Sequence, residues 1–149
     1  MSEVTGAVAE SPSEVQATPS SRLLNFQYIA AKRDITIRRV EVPEWDGHVF
    51  VRSLNALGKE KFMSTIRHIE GEGKDAKVVV NMVGAEPRLV AMTLCDEDGN
   101  FSVAQDEDSI AEAEKIFGTK DWRPISRISD VSAEINGLGN AAVEAAKND

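Results

Sequence analysis

A chain of 149 residues favours one domain and is long enough to bury a hydrophobic core. The formal net charge is -8 at pH 7, and residues 96–149 hold 13 acidic against 5 basic side chains, which argues against binding to a nucleic-acid backbone. The single cysteine excludes an internal disulfide and suits a reducing cytoplasm, and no apolar run is long enough to span a membrane.

Residues 1–20 are small and polar, with two prolines and no aromatic side chain. This composition buries too little apolar surface to offset the entropy of ordering, so we expect a disordered N-terminal arm. A short amphipathic helix that orders on a partner is the alternative. Apolar spacing then predicts a helix over 21–32, capped by Ser20 or Ser21.

The strongest local signal is Asp46-Gly47, which is typical of a type I′ hairpin turn because Gly and Asp tolerate positive φ. It predicts a hairpin over 40–54 in which Val42 faces Val51. Because side chains alternate along a strand, four valines share one face. Those valines are Val40, Val42, Val49 and Val51.

The other face of the predicted hairpin carries Trp45, Pro43 and Phe50, together with an opposed pair of charges, Glu41 and Arg52. Both faces are therefore apolar over much of their length. A two-stranded ribbon is marginal alone, so we expect the rest of the chain to pack on it. The first strand is predicted to begin at residue 35, with a bulge near Arg38-Arg39.

The middle of the chain is predicted to be helical. Asn55 is a suitable N-cap for a helix that continues to about Ile69. Residues 75–84 form a short apolar run that fits a strand or a buried helix, and helix is the preferred interpretation. Pro87 then fits the first turn of a helix over 86–95.

Asp96–Asn100 is predicted to be an acidic turn and not a calcium loop, because Phe101 stands where the loop needs Gly. A helix over 109–117 is predicted next, capped by Asp106 or Asp108 and closed by Gly118. Its inward side chains are expected to be Ile110, Ala113, Ile116 and Phe117.

The last predicted helix spans 121–136, with Trp122 among its inward side chains. Residues 137–149 are small and polar and are expected to form a mobile tail. The predicted fold class is α+β: a small antiparallel β-hairpin or sheet packed against several α-helices, with helix dominant. One domain is predicted over 21–136.

No catalytic, cofactor-binding or metal-ligating residue is predicted. His48 and His68 have no second ligand at useful spacing. Cys95 is expected to be buried, with its pKa raised by acidic neighbours, and so to be a poor nucleophile. The acidic pairs fall on predicted helix surfaces and turns, where solvated charge is the usual role. The residues therefore give no case for an enzyme.

Five segments, taken in order over about 30–149, resemble the phage tail assembly chaperones of long-tailed bacteriophages. Phe101–Gly118 departs most from that pattern. The matching segments are EVPEWDGHVFVRSLN, the acidic-ended stretch Arg88–Gly99, the helix start at Asp106–Asp108, ISRISDVSAEINGL and VEAAKN.

The resemblance implies an α+β fold without catalytic activity. It implies a chaperone that binds the tape-measure protein, keeps it soluble and helps recruit tail-tube subunits. Self-association is a further expectation, whereas nucleic acid and membrane are not expected as partners. The implied location is the host bacterial cytoplasm, with the protein absent from the mature virion.

Such chaperones are often made in two lengths by programmed ribosomal frameshifting. A slippery codon run GCA AAA AAC would encode Ala146–Asn148, so we expect that run in the gene.

Candidate partner-binding residues are the exposed apolar side chains expected at the hairpin tip and on the last helix, since a helix-in-groove contact would shield an aggregation-prone partner. They are Trp45, Ile125, Ile128, Val131 and Ile135. Burial in the core is the alternative role for each of them.

Two other classes of protein remain open. A structural virion tail subunit, such as a tube or connector protein, is the main alternative, although such subunits usually contain more strand. An acidic inhibitor that imitates DNA is the other. The 12 basic side chains of residues 21–95 dilute the continuous acidic surface that it would need.

Overall fold

A computed structural model describes residues 21–139. The predicted arm at 1–20 and residues 140–149 of the predicted tail lie outside the described residues. The chain divides into two compact units, one ending at Asp34 and the other beginning at Ile35. The domain bounds 21–136 stay a prediction.

The first unit contains helix α1, Phe26–Ala31. Its N-cap is Asn25, whose side chain accepts a 2.8 Å hydrogen bond from the backbone N–H of Tyr28. The predicted start at residue 21 and the predicted serine cap were therefore wrong. The apolar side chains of α1 are exposed within their own unit.

The second unit opens with the predicted hairpin, formed by strand β1, Ile37–Val42, and strand β2, Gly47–Arg52. The predicted register was wrong, because Val42 pairs with Gly47 and Val40 with Val49. Pro43 begins a 3-10 turn, Pro43–Trp45, and of the two predicted turn residues, Asp46 and Gly47, only Asp46 adopts positive φ, at 57°. Proline has no N–H to donate to a ladder, so the strand ends before it.

The faces of the hairpin survive this change of register because the shift is an even number of residues. Val40, Val42 and Val51 are buried, as predicted, and Val49 is half-buried. Glu41 lies opposite His48 and not Arg52, which contradicts the predicted charge pair. Pairing from Ile37 to Val42 is uninterrupted, so the predicted bulge was also wrong.

Helix α2, Ala56–Ile66, is capped by Asn55 as predicted, but it ends three residues early. Strand β3, Arg67–Glu70, follows and pairs antiparallel with strand β4, Lys77–Val80. The predicted helix over 75–84 was therefore wrong. Consecutive β-branched valines favour an extended backbone, and Arg67–Glu70 supplies the pairing partner.

Helix α3, Ala85–Thr93, begins after Gly84, and the next two residues form strand β5, Leu94–Cys95. This strand pairs with β2 and completes an antiparallel sheet in the order β1-β2-β5. The predicted helix over 86–95 is thus confirmed for most of its length and wrong at its C-terminal end.

The predicted turn at Asp96–Asn100 is present. The Asp96 carboxylate accepts hydrogen bonds of 2.9 Å from the backbone N–H groups of Asp98 and Asn100. Its oxygens therefore hold the turn together.

Helices α4, Glu107–Phe117, and α5, Trp122–Ile135, complete the unit. Asp106 caps α4, and Gly118 closes it, both as predicted. Two predicted inward side chains were wrong, because Ile116 is 49% exposed and Trp122 is 72% exposed. Trp122 is the first residue of α5, at the end of the helix, where little of the core reaches it.

Two buried clusters form the core of the part of the chain that the structure describes. One joins the hairpin valines to Val90 of α3 and to Ile125 and Ile128 of α5. The other lies between α2, α3 and α4 and includes Leu138, which is only 8% exposed. The architecture is α+β with helix dominant, which confirms the predicted fold class.

Candidate functional site

The predicted partner-binding residues occupy two different environments. Trp45 lies in the hairpin turn and is 41% exposed. Ile125 and Ile128 are buried against the hairpin valines, and Val131 and Ile135 are half-buried against the same cluster. The structure thus gathers the four α5 residues on the side of the helix that faces the sheet, and among the five it leaves Trp45 the most accessible.

Two ion pairs hold α5 on the hairpin. Arg127 donates hydrogen bonds of 2.6 Å to both carboxylate oxygens of Glu44 in the turn. Nearer the C-terminal end of α5, Glu134 accepts a 2.9 Å hydrogen bond from Arg38 of β1. The Arg127 hydrogen bonds lower the pKa of Glu44 to about 2, so this carboxylate stays ionised down to strongly acidic pH.

The opposite side of α5 lines an open cavity of about 360 Å³ between α2, α3 and α5, which we call the apolar groove. Its floor is aliphatic and aromatic, with Met63 and Met82 at the sides. The floor residues are Phe62, Ile66, Leu89 and Leu138. A volume of this size is ordinary for a binding pocket, at the low end of roughly 300–1,000 Å³.

Three carboxylates and no Lys or Arg of the described residues line the apolar groove. Asp130 and Glu134 stand one helical turn apart on α5, and Glu86 stands in the first turn of α3. Glu86 accepts a hydrogen bond of 3.2 Å from the Ser126 hydroxyl. Because this hydroxyl is neutral, the contact does not neutralise the negative charge of Glu86. The groove therefore combines an apolar floor with an acidic rim.

Sequence reasoning missed the apolar groove and its rim. The groove residues come from 62–66, 82–89 and 129–139, and only the packing of three helices brings them together. The available signal was the polar face of α5, where Asp130, Ala133 and Glu134 lie beside the predicted apolar stripe. That face alone is typical of a solvated helix surface.

Arg88 of α3 forms a second arrangement that the sequence did not reveal. Its side chain is 9% exposed and binds Glu107 at 2.8 Å and Glu114 at 3.2 Å, both on α4. Among the described residues, the Arg88 Nε finds no hydrogen-bond partner. This network joins two helices, and its two bonded guanidinium nitrogens are already occupied by carboxylates, so we interpret it as structural.

The described part of the chain shows no cluster of three or more His, Cys, Asp or Glu that could hold a metal ion. Burial raises the pKa of the Cys95 thiol, while Arg52 lowers it and Asp96 raises it to smaller extents. The predicted direction is therefore confirmed, but burial and not the acidic neighbours is the main cause. Within 21–139, no helix is long and apolar enough to cross a bilayer.

Comparison with known proteins identifies a family. Searches of curated proteins and of solved structures gave no significant match. The model of the family described as phage tail assembly chaperone matches residues 25–148, which include every helix and strand described above. This match agrees with the resemblance carried by the hairpin and α5 segments. The chain belongs to the phage tail assembly chaperone family.

Proposed function

We propose that this protein binds the tape-measure protein of a long-tailed phage, keeps it soluble and helps recruit tail-tube subunits during tail assembly. Family membership supports the role in tail assembly. The observation that carries the tape-measure part is the apolar groove, an open apolar surface that the described residues of the chain leave uncovered. The uncovered groove supports this part of the proposal because binding sites are concave and mostly apolar.

The proposed mechanism is that of a holdase. A long helical protein with apolar faces aggregates unless those faces are covered. Each aliphatic side chain of the partner that is removed from water contributes about 1.5–3 kcal/mol to the free energy of binding. A groove that takes only a few such side chains therefore binds its partner weakly and reversibly. Several copies along one tape-measure chain would then protect it and still be released as tube subunits arrive.

The acidic charge of the chaperone supports the same proposal. A formal net charge of -8 keeps the protein and its complexes apart by mutual repulsion. We propose a non-catalytic role in the host bacterial cytoplasm, with the protein absent from the mature virion. The same repulsion disfavours self-association, so the self-association that we propose requires a specific contact between copies.

Trp45 is the proposed second contact. It is the exposed apolar residue of the hairpin turn, and Trp is a frequent anchor in protein interfaces. Ile125, Ile128, Val131 and Ile135 would contribute indirectly, because they hold α5 against the hairpin and so set the wall of the apolar groove.

Co-expression tests the function. The tape-measure gene, expected as a very long gene just downstream, is expressed in bacteria with and without the full-length chaperone. We expect the soluble fraction of the tape-measure protein to rise several-fold and the two proteins to co-purify. An insoluble tape-measure protein in both cultures contradicts the proposal. Detection of the chain in purified particles by mass spectrometry would instead support the structural tail subunit.

The frameshift expectation has its own test in the DNA. We propose that Ala146–Asn148 are encoded by GCA AAA AAC, which permits slippage into a longer product. Codons that cannot slip would remove this part of the proposal and leave the chaperone role untouched.

A further inference from the structure

We infer that the apolar groove takes an amphipathic helix whose aliphatic stripe is flanked by Lys or Arg. This inference rests on the proposed function and adds the chemistry of the partner segment. It goes beyond the family match, which says nothing about where or how a partner is held.

The floor of the apolar groove determines the apolar part of the partner. Phe62, Ile66 and Leu89 are at most 3% exposed, so they form a fixed apolar base. A helix with its side chains is about 10–12 Å across, too large to enter a cavity of about 360 Å³. The partner must therefore lie along the opening and insert side chains from one face, as in other helix-in-groove contacts.

The rim determines the charge of the partner. Glu86, Asp130 and Glu134 border the opening, and none of the described Lys or Arg side chains does. Glu134 is partly neutralised by Arg38, so Glu86 and Asp130 supply most of the negative potential. Basic residues beside the inserted stripe would pair with this rim, whereas acidic residues there would be repelled.

Two methionines determine how selective the groove is. Met63 is half-buried and Met82 is 48% exposed, one on α2 and the other just before α3. The thioether side chain is unbranched and adapts to differently shaped partners. The groove would then recognise a pattern of apolar and basic residues, and not one sequence. That property suits a chaperone that must cover successive segments of a long chain.

Two synthetic peptides test this chemistry on the full-length protein. Both are helices about five turns long with the same leucine stripe, and the stripe is flanked by Lys in one peptide and by Glu in the other. Measured by fluorescence anisotropy, the Lys peptide should bind at least about tenfold more tightly than the Glu peptide. Equal affinities would overturn the inference.

Variants at the rim and at the side of the groove test whether the peptides bind there. Glu86→Lys with Asp130→Lys should weaken the Lys peptide roughly tenfold and strengthen the Glu peptide. Met82→Asn should weaken both peptides, because it removes an apolar contact without adding charge, and its exposure means that the fold is retained, as circular dichroism can verify. Loss of binding to the Lys peptide without a gain for the Glu peptide would contradict the role of charge.

A charge-matched variant provides the control. Glu97→Lys with Glu112→Lys changes the net charge by the same amount at exposed positions outside the groove. It should leave the Lys-peptide affinity within about twofold of wild type, because neither position lines the groove and exposed charges are screened by salt. An equal loss in both double variants would show attraction to overall charge only and would overturn the inference.

Other occupants of the groove give different results. If removal of residues 140–149 strengthens Lys-peptide binding about tenfold, that segment covers the groove. If Met82→Asn converts a dimer to a monomer in light scattering, a second copy covers it. Either result overturns the inference.

The inference and the proposed function fail separately. If the rim variants solubilise the tape-measure protein as well as wild type does, the inference about the groove is wrong and the proposed chaperone function stands. A wild-type chain that binds the Lys peptide but leaves the tape-measure protein insoluble would remove the proposed function.

Discussion

Arg127 and Glu44, 83 positions apart in the chain, are joined by two hydrogen bonds of 2.6 Å. This bidentate pair fixes α5 to the turn of the hairpin, while Ile125 and Ile128 pack on the valines of the sheet. The hairpin therefore determines which side of α5 is buried. The opposite side of α5, which includes Asp130 and Ala133, lines the apolar groove.

The Glu44–Arg127 pair predicts a specific dependence of stability on pH. The folded pKa of Glu44 is lowered from 4.5 to about 2. Because the folded pKa lies below the unfolded one, the stabilisation is fully present above about pH 4.5 and is lost as the pH falls towards 2. Glu44→Gln should therefore lower the Tm at neutral pH, and the difference from wild type should disappear near pH 2.

Thermal unfolding followed by circular dichroism across this pH range measures the effect. Glu112→Gln removes an exposed carboxylate of α4 and serves as the control. A Tm difference between wild type and Glu44→Gln that persists unchanged to the acid limit would show that the pair contributes nothing through its charge.

A buried hydroxyl pair predicts an asymmetric response to mutation. The Thr93 hydroxyl donates its proton to the Leu89 carbonyl at 2.7 Å. Ser132 is therefore the donor in the 2.9 Å hydrogen bond between the Ser132 and Thr93 hydroxyls. Thr93→Val leaves the Ser132 donor buried and unpaired, which should cost about 1–3 kcal/mol of unfolding free energy. Ser132→Ala leaves Thr93 bonded to Leu89 and should cost less.

Chemical denaturation of the two single variants and of the double variant measures this coupling. The double variant should be more stable than Thr93→Val alone, because no hydroxyl is then left without a partner. Equal losses for the two single variants would contradict the assigned direction of the hydrogen bond.

The Arg88 network predicts that removing the carboxylates is worse than removing the arginine. Glu107→Ala with Glu114→Ala leaves a guanidinium that is 9% exposed without either acid, which should cost about 3–5 kcal/mol. Arg88→Met keeps an unbranched side chain of similar length and leaves two partly exposed acids, so the change should stay within about 1 kcal/mol. Urea unfolding compares the two, and the reverse order of stability would refute the prediction.

Local signals in the sequence predicted the elements whose causes are local. The caps Asn55 and Asp106 and the closing Gly118 all lie where side-chain chemistry places them. Asp121, predicted as the first residue of the last helix, is instead its N-cap. The hairpin was predicted for the same reason. Its register was not, because Pro43 starts a 3-10 turn that moves the pairing of β1 and β2.

Features that depend on distant segments were not predicted. Lys77–Val80 is a strand because Arg67–Glu70 pairs with it, and periodicity carries no information about that partner. The apolar stripe of α5 was predicted from its spacing. Which side of the helix faces solvent could not be predicted, because it depends on where the hairpin lies. The apolar groove needs three helices at once, so no window of sequence contains it.

Gly84 predicts a backbone effect at the start of α3. Its φ is +81°, and a Cβ there would lie 3.1 Å from the Glu114 Oε2. Gly84→Ala should therefore cost about 1–2 kcal/mol, since L residues are strained in this region. Gly47→Ala is the matched control, because its φ is not in this region and its nearest atom is 3.9 Å away. Differential scanning calorimetry should show a lower Tm for Gly84→Ala only.

The contacts of Leu138 predict how far the C-terminal segment can be truncated without loss of stability. Its backbone N–H donates to the Ala133 carbonyl at 2.7 Å, and its side chain packs with Phe62 and Leu89 in the core. A chain ending after Asn136 loses these contacts and should lose about 1.5–3 kcal/mol of unfolding free energy. A chain ending after Gly139 retains them and should unfold at the wild-type denaturant midpoint.

The two truncations therefore separate stability from binding. Removal of 137–149 would reduce tape-measure binding because Leu138 is lost from the floor of the apolar groove, whatever residues 140–149 contribute. Removal of 140–149 alone leaves Leu138 in place, so any change in co-purification then reports on that segment. Leu138→Ala in the full chain is the control, and it should reproduce the instability of the longer deletion. Full stability of Leu138→Ala would show that the core does not depend on this side chain.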